Sequence, residues 1–151
     1  MPIALFKKKA FFTKEEALEI VAAIREAERQ TSGEIRLFVE TKCAYIDPLD
    51  KAKEVFTKLN MHHTELRNGV LVYVATKDRQ MCVYGDSGIH AKLGEYNWDT
   101  ALHIMKTHFA KDEYVLGLQK CVTYVGQFLH SAFPYTNQDK NELPDDIVFG
   151  N

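Results

Sequence analysis

Residues 67–89 read RNGVLVYVATKDRQMCVYGDSGI, and this stretch decides the fold. The run GVLVYVA, residues 69–75, is apolar at nearly every position. A short run of that kind is a strand covered on both faces and central in its sheet. TKDR is a tight turn, and QMCVYG, residues 80–85, returns as a second strand antiparallel to the first. Polar residues mark the junctions: Asn68 before the first strand, Asp78 in the turn and Asp86 after the second. They are either turn chemistry or the lining of a site at one end of the hairpin.

Upstream, EIRLFVE, residues 34–40, alternates Ile35, Leu37 and Val39 with Arg36, Phe38 and Glu40, the period of a half-covered strand. DPLDKAKEVFTKLN lies between it and GVLVYVA and predicts a helix. Asp47 suits its cap and Pro48 its first position, and Leu49, Ala52, Phe56 and Leu59 share one face. Strands joined through a helix are expected to run parallel, with a right-handed crossover. An earlier helix opens at Thr13, which forms a capping box with Glu16. It continues through Ala17, Ile20, Val21, Ile24 and Ala27 and stops before residues 31–33, TSG.

Downstream, NWDTALHIMKTHFA predicts a third helix capped by Asn97, with Trp98, Leu102, Met105 and Phe109 facing inward. A fourth begins near Asp112 and ends at Pro134. Val115, Leu118, Val122, Val125, Leu129 and Ala132 line it, with Tyr114, Cys121, Tyr124 and Phe128 beside them. A face that broad demands deep burial. The expected class is α/β: a single-domain α/β/α sandwich, its small mixed sheet covered by helices on both faces. It spans residues 13–134, between an N-terminal tail (1–12) and a polar C-terminal tail (135–151). In that last tail Ile147, Val148 and Phe149 are placed to cover apolar surface, or the acids of NELPDD to close over the sheet edge.

The 151 residues are 46% hydrophobic and 26% charged, with a formal net charge of -2, which speaks against nucleic acid as a partner. Lys7, Lys8 and Lys9 form the basic cluster. Flanked by Leu5, Phe6, Phe11 and Phe12, it is a solvated tail or a weak contact with an anionic membrane surface. Cys43, Cys82 and Cys121 have no metal-binding spacing and suit free thiols in a reducing compartment. The start MPIALFKKKAFF lacks the apolar stretch of a signal peptide, and no run approaches a membrane span. The expected location is the cytoplasm.

The topology sorts the polar residues onto two sheet edges. One edge gathers Glu34, Thr64, Arg67, Asn68, Asp86 and Ser87. There Asp86, Asn68 and Glu34 offer hard oxygens to a cation such as Ca²⁺ or Mg²⁺. Arg67, Thr64 and Ser87 offer an anion site beside the glycine-rich GDSG. The plainer reading is an Asp86–Arg67 ion pair that pins the hairpin to the preceding loop. The other edge gathers Thr41, Thr76, Asp78 and Arg79 at the carboxyl ends of the parallel strands, where open α/β sheets bind ligands. It is the second-choice site. His62, His63, His103 and His108 are not spaced to share a metal and are expected at the surface or its boundary.

TSGEIRLFVE, TELRNGVLVYVATKDR, YGDSGI, GLQKCVTYVGQFLHSAFP and NELPDD, in that order, resemble the TPM-domain family over residues 12–146. That family includes the thylakoid-lumen acid phosphatase-like proteins linked to photosystem II repair. The resemblance implies an α/β/α sandwich, a divalent-cation site and, as for some members, phosphatase activity. The family's Gly-Glu matches Gly33-Glu34, its Asn-Gly matches Asn68-Gly69 and its Asp-Arg matches Asp78-Arg79. Its glycine-rich turn, usually G-x-G and then an acid, here reads Gly85-Asp86-Ser87-Gly88 before Ile89 and His90. Asp86 stands in for the acid. Many members carry a signal segment and an anchor, which this sequence does not show.

The expected function is that of a divalent-cation-binding, non-catalytic interaction module serving a protein partner. The alternative is a metal-assisted, acid phosphatase-like hydrolase in which the cation polarises a phosphoryl oxygen and Arg67 neutralises developing charge. No residue nominates itself as nucleophile or general base, so catalytic positions stay unassigned.

Overall fold

A computed structural model describes residues 11–136 and 142–150. In chain order the elements are α1 (Lys14–Glu28), β1 (Glu34–Glu40), α2 (Pro48–Lys58), β2 (Gly69–Ala75), β3 (Gln80–Gly85), α3 (Ser87–Leu93), α4 (Asp99–Phe109), α5 (Tyr114–His130) and β4 (Val148–Phe149). The four strands form one sheet in the order β3-β2-β1-β4. β1 runs parallel to β2 and β4, and β3 is antiparallel to β2. This is the expected mixed α/β sandwich.

The residue patterns explain the layers. Every residue of β2 is buried, because helices cover both of its faces. Ile35, Leu37 and Val39 of β1 join Val70, Val72 and Val74 of β2 on the side covered by α1, α4 and α5. Leu71, Tyr73 and Ala75 point the other way, into a smaller core with Ala52, Val55 and Phe56 of α2. α1 begins with the capping box: Glu16 N–H donates to Thr13 Oγ1 at 3.1 Å and Thr13 N–H to Glu16 Oε1 at 2.8 Å. Asp47 caps α2 through the Leu49 N–H at 2.9 Å. Trp98, not the expected Asn97, occupies the cap position of α4 and makes no side-chain cap bond; Asn97, one residue earlier, accepts the Asp99 N–H on Oδ1 at 3.0 Å.

Two elements lie outside the sequence expectation. DSGI is not only a turn: Asp86 accepts the Ser87 N–H at 2.7 Å and caps α3. Ile89 is the one residue of α3 that is buried, so the helix leaves no apolar periodicity to read. The C-terminal tail does cover apolar surface with buried Ile147, and it also adds β4, paired with β1 at Phe38 and Val39. α5 starts two residues after Asp112, which turns the chain in the left-handed region at φ 59°.

The thiols are free: Cys43 is half-buried, and Cys82 and Cys121 are buried. Burial pushes the Cys82 thiol up to about 11 and Cys121 to about 12. Among the described residues no helix is long and apolar enough to cross a membrane. Lys7, Lys8 and Lys9, proposed above for membrane contact, lie outside the described residues.

Candidate functional site

The register decides which polar residues meet. Glu34 pairs with Gly69 across β1 and β2, and the Asp86 N–H donates to the Gly69 carbonyl at 2.9 Å. The start of β1, the start of β2 and the exit of β3 therefore share one end of the sheet. The side chains there form two centres, one on each side of Gly69.

The first centre is Asp86, 2% exposed. Arg67 Nε donates to Asp86 Oδ2 at 3.0 Å, and its terminal nitrogen reaches Oδ1 at 3.4 Å. His62 Nδ1 lies 3.3 Å from the same Oδ1 and 3.2 Å from the Arg67 guanidinium. The carboxylate thus faces the Arg67 guanidinium, the His62 ring nitrogen and the Ser87 N–H. The arrangement satisfies an anion and leaves Asp86 little capacity for a cation. Arg67 itself adopts φ 51°, which aims it back at Asp86. Gly88 allows the close fit: a Cβ there would fall 2.0 Å from the Leu66 carbonyl and 2.5 Å from that of Arg67. The small residue is there for the protein's own backbone. Thr64 Oγ1 accepts the Asn68 N–H at 3.3 Å and holds the loop, while Ser87 is exposed.

The second centre is Glu34, 3% exposed. The tail comes to it: the Leu143 N–H donates to Glu34 Oε1 at 2.9 Å. Glu142 holds the same edge by accepting the Glu65 N–H at 3.0 Å. β4 covers β1 only at Phe38 and Val39, so the Ile35 N–H is left to Glu28 Oε2 at 2.7 Å. Glu28 in turn shares a hydrogen bond with Asp145, which also lies 3.5 Å from Arg25. Asp146 lies 3.9 Å from Arg36.

Carboxyl groups so placed resist ionisation. Burial, with the Asp145 hydrogen bond next and the charge of Glu34 further behind, pushes Glu28 up to about 10. Burial and the charges of Glu142 and Asp145 push Glu34 up to about 7. Asn68, fully buried, donates to Ser32 Oγ at 3.5 Å, and its Oδ1 has no partner among the described residues. Its backbone carbonyl accepts the Glu34 N–H at 3.4 Å. The donors here are hard oxygens, the set that Ca²⁺ and Mg²⁺ prefer. As the side chains stand, no group of three or more His, Cys, Asp or Glu among the described residues forms a ready metal site.

Of the predicted set, Arg67 and Asp86 are brought together, Glu34 and Asn68 meet through the backbone, and Thr64 and Ser87 support the loop and the α3 cap. Glu142 and Asp145 join them, as one of the two readings of the tail had it, and so do His62 and Glu28, which sequence reasoning did not assign there. The second-choice residues tie the hairpin turn to the exit of β1. Asp78 Oδ2 accepts the Cys43 N–H at 2.9 Å, and the Thr41 carbonyl accepts the Lys77 N–H at 2.8 Å. Thr76 Oγ donates to the Glu40 carbonyl at 3.4 Å, and Arg79 is exposed at φ 54°.

A mixed sheet between helix layers is the arrangement of a known domain class. The chain belongs to the TPM domain family, whose family model matches residues 5–128. It is similar to the BA42 protein from the psychrophilic bacterium Bizionia argentinensis, with 40% identity and a TM-score of 0.87 over 95% of this chain and 99% of that one. Two further structures share the fold. The N-terminal domain of a Corynebacterium glutamicum protein matches at 15% identity and a TM-score of 0.61, covering 83% of this chain and 79% of that one. The N-terminal domain of a P. gingivalis protein matches at 16% identity and a TM-score of 0.65, covering 85% and 84%. No curated protein matches the chain.

Proposed function

We propose that the protein is a divalent-cation-binding, non-catalytic interaction module, and that Ca²⁺ or Mg²⁺ is held around Glu34, with Glu28, Asp145 and Asn68 as the remaining donors. The observation that carries this is the crowding of carboxyl groups whose ionisation burial and mutual repulsion oppose. A divalent cation reverses that opposition by supplying the missing positive charge. Asp86, already matched by Arg67 and His62, acts as the pin that holds the loop. Because Glu34 accepts from Leu143, a cation at Glu34 fixes the C-terminal strap, and the strap then presents a defined surface to a protein partner. The free thiols fit the reducing cytoplasm.

The test is thermal unfolding with and without CaCl₂ or MgCl₂. A ligand at about 100 times its dissociation constant adds roughly 2.7 kcal/mol. For a chain of this size that is a rise of about 5–10 °C. The rise is expected in wild type and in Asp86→Asn, and is expected to vanish in Glu34→Gln. No rise in wild type, or an undiminished rise in Glu34→Gln, removes the proposal.

A second reading is metal-assisted phosphate-ester hydrolysis. It is favoured by the half-exposed Arg67 guanidinium, beside the His62 ring at the same edge, as a seat for a phosphoryl group. Turnover of p-nitrophenyl phosphate that needs Mg²⁺ and falls in both Glu34→Gln and His62→Ala supports it. Turnover indifferent to both substitutions belongs to a contaminant.

A further inference from the structure

We propose that a cavity at the opposite end of the sheet binds a small organic anion: a single carboxylate or phosphate carried on an apolar body. The cavity holds about 270 Å³ and lies where the end of β2, the hairpin turn and the corner between α4 and α5 meet. Val74, Met81, Phe109 and Tyr114 give it apolar walls. Arg79 from the turn and Lys106 from α4 also line it, and both are exposed, so the cations stand where the cavity meets solvent.

Three observations converge on this ligand. First, among the described residues neither Arg79 nor Lys106 has an acidic partner. The acid of the same turn is turned away, since Asp78 Oδ2 accepts the Cys43 N–H at 2.9 Å. Two unpaired cations above apolar walls match a molecule that is charged at one end only. Second, Arg79 sits at φ 54°, a conformation that glycine or asparagine fills at no comparable cost. The turn alone does not call for arginine there, whereas a guanidinium at the mouth of the cavity does. Third, the site lies at the carboxyl ends of the parallel strands β1 and β2, the usual ligand edge of an open α/β sheet. At about 270 Å³ it lies just below the roughly 300–1,000 Å³ of pockets for drug-sized molecules. That admits a medium-chain acid or an aryl phosphate and excludes a dinucleotide. It stands about 20 Å from the carboxyl cluster, the length of a strand, and is independent of it.

The experiment titrates the full chain with octanoate, phenyl phosphate, inorganic phosphate and 1-octanol, following backbone amide shifts of residues 74–81 and 106–114. Octanoate or phenyl phosphate is expected to give saturable shifts confined to those segments. Affinity should fall at least fivefold in Arg79→Gly and in Lys106→Gln, and binding should vanish in Ala110→Trp, which fills the cavity from an exposed position. Arg79→Gly suits the backbone, so a loss of binding with an unchanged melting temperature separates recognition from folding. Inorganic phosphate and 1-octanol, each lacking one half of the ligand, should bind at least fivefold more weakly than the better of the two amphipathic probes. The proposal is overturned if neither amphipathic probe saturates by 10 mM, if either half-ligand binds as well, or if the three variants bind like wild type.

Discussion

Glu34 gives the most discriminating test of the acidic edge. Replacing it by glutamine keeps an oxygen for the Leu143 N–H, now 2.9 Å from Oε1, and removes the charge. The wild-type carboxyl moves from the ordinary 4.5 to about 7 on folding, first because it is buried and then because Glu142 and Asp145 repel its anion. A carboxyl raised in this way binds its proton more tightly folded than unfolded. Its penalty is therefore absent below about pH 4.5, grows as pH rises, and is complete above about 7. At 1.36 kcal/mol per unit the full penalty is about 3 kcal/mol, and screening by the solvent that still reaches the edge reduces it to roughly 2.

The substitution itself costs about 1 kcal/mol at any pH, because an amide nitrogen replaces one acceptor oxygen. Glu34→Gln should therefore melt about 1–2 °C below wild type at pH 5, where part of the penalty is already present, and about 2–4 °C above it at pH 8, given the slope for a chain of this size. The two curves cross near pH 6, about midway between 4.5 and 7, where the wild-type penalty reaches half its full value. Differential scanning calorimetry in metal-free buffer at half-unit pH steps measures this. Saturating Mg²⁺ should then flatten the wild-type profile and leave the variant unchanged. Curves that run parallel from pH 5 to 8 refute the reasoning, since they mean that Glu34 titrates alike in folded and unfolded chains.

Gly88→Ala should lower stability by at least ~3 kcal/mol in urea unfolding, because its Cβ would sit 2.0 Å from the Leu66 carbonyl and only backbone movement relieves that. Arg67→Met should cost about 2 kcal/mol by stranding buried Asp86 with only His62 and the Ser87 N–H, and Asp86→Asn in the same chain should recover about half; simple additivity would show that the pair is not coupled. Gly126→Val should cost about 2 kcal/mol, since a Cβ there meets the Ala27 Cβ at 2.8 Å where α5 crosses α1. Arg79→Gly should stay within about 1 kcal/mol of wild type, because relief of the left-handed backbone offsets the added freedom of the unfolded chain.

Most of the fold was legible because its elements are periodic. The uninterrupted GVLVYVA announced a strand covered on both faces, and Thr13 and Asp47 cap their helices as their positions implied, whereas Asn97 lies one residue before the cap of α4. α3 was not legible because it buries Ile89 alone. The Arg67–Asp86 pair was legible as one of two readings of the same edge, and it is present. His62 was set aside because His63 follows it and the two cannot point together. The loop sends only His62 inward, against the Phe56 ring at 4.7 Å and the Asp86 carboxylate at 3.3 Å.

Glu28 was beyond sequence reasoning, and the tail was legible only as one of two placements, for a shared physical reason. On α1, Glu28 belongs to a face that periodicity marks as solvated, and nothing local distinguishes it from Glu26. It matters only because β4 stops at Phe38 and Val39 and leaves the first part of β1 with an unpaired edge. An open strand edge must be covered or charged, and here it receives a carboxyl on the Ile35 N–H. The same gap admits NELPDD, whose Leu143 N–H reaches Glu34 across 109 residues of chain. No window of sequence contains both partners. Short β4 thus leaves a stretch of bare strand, the bare strand draws in carboxyl groups from α1 and the tail, and their crowding raises the affinity of that edge for protons and, on the present proposal, for a divalent cation.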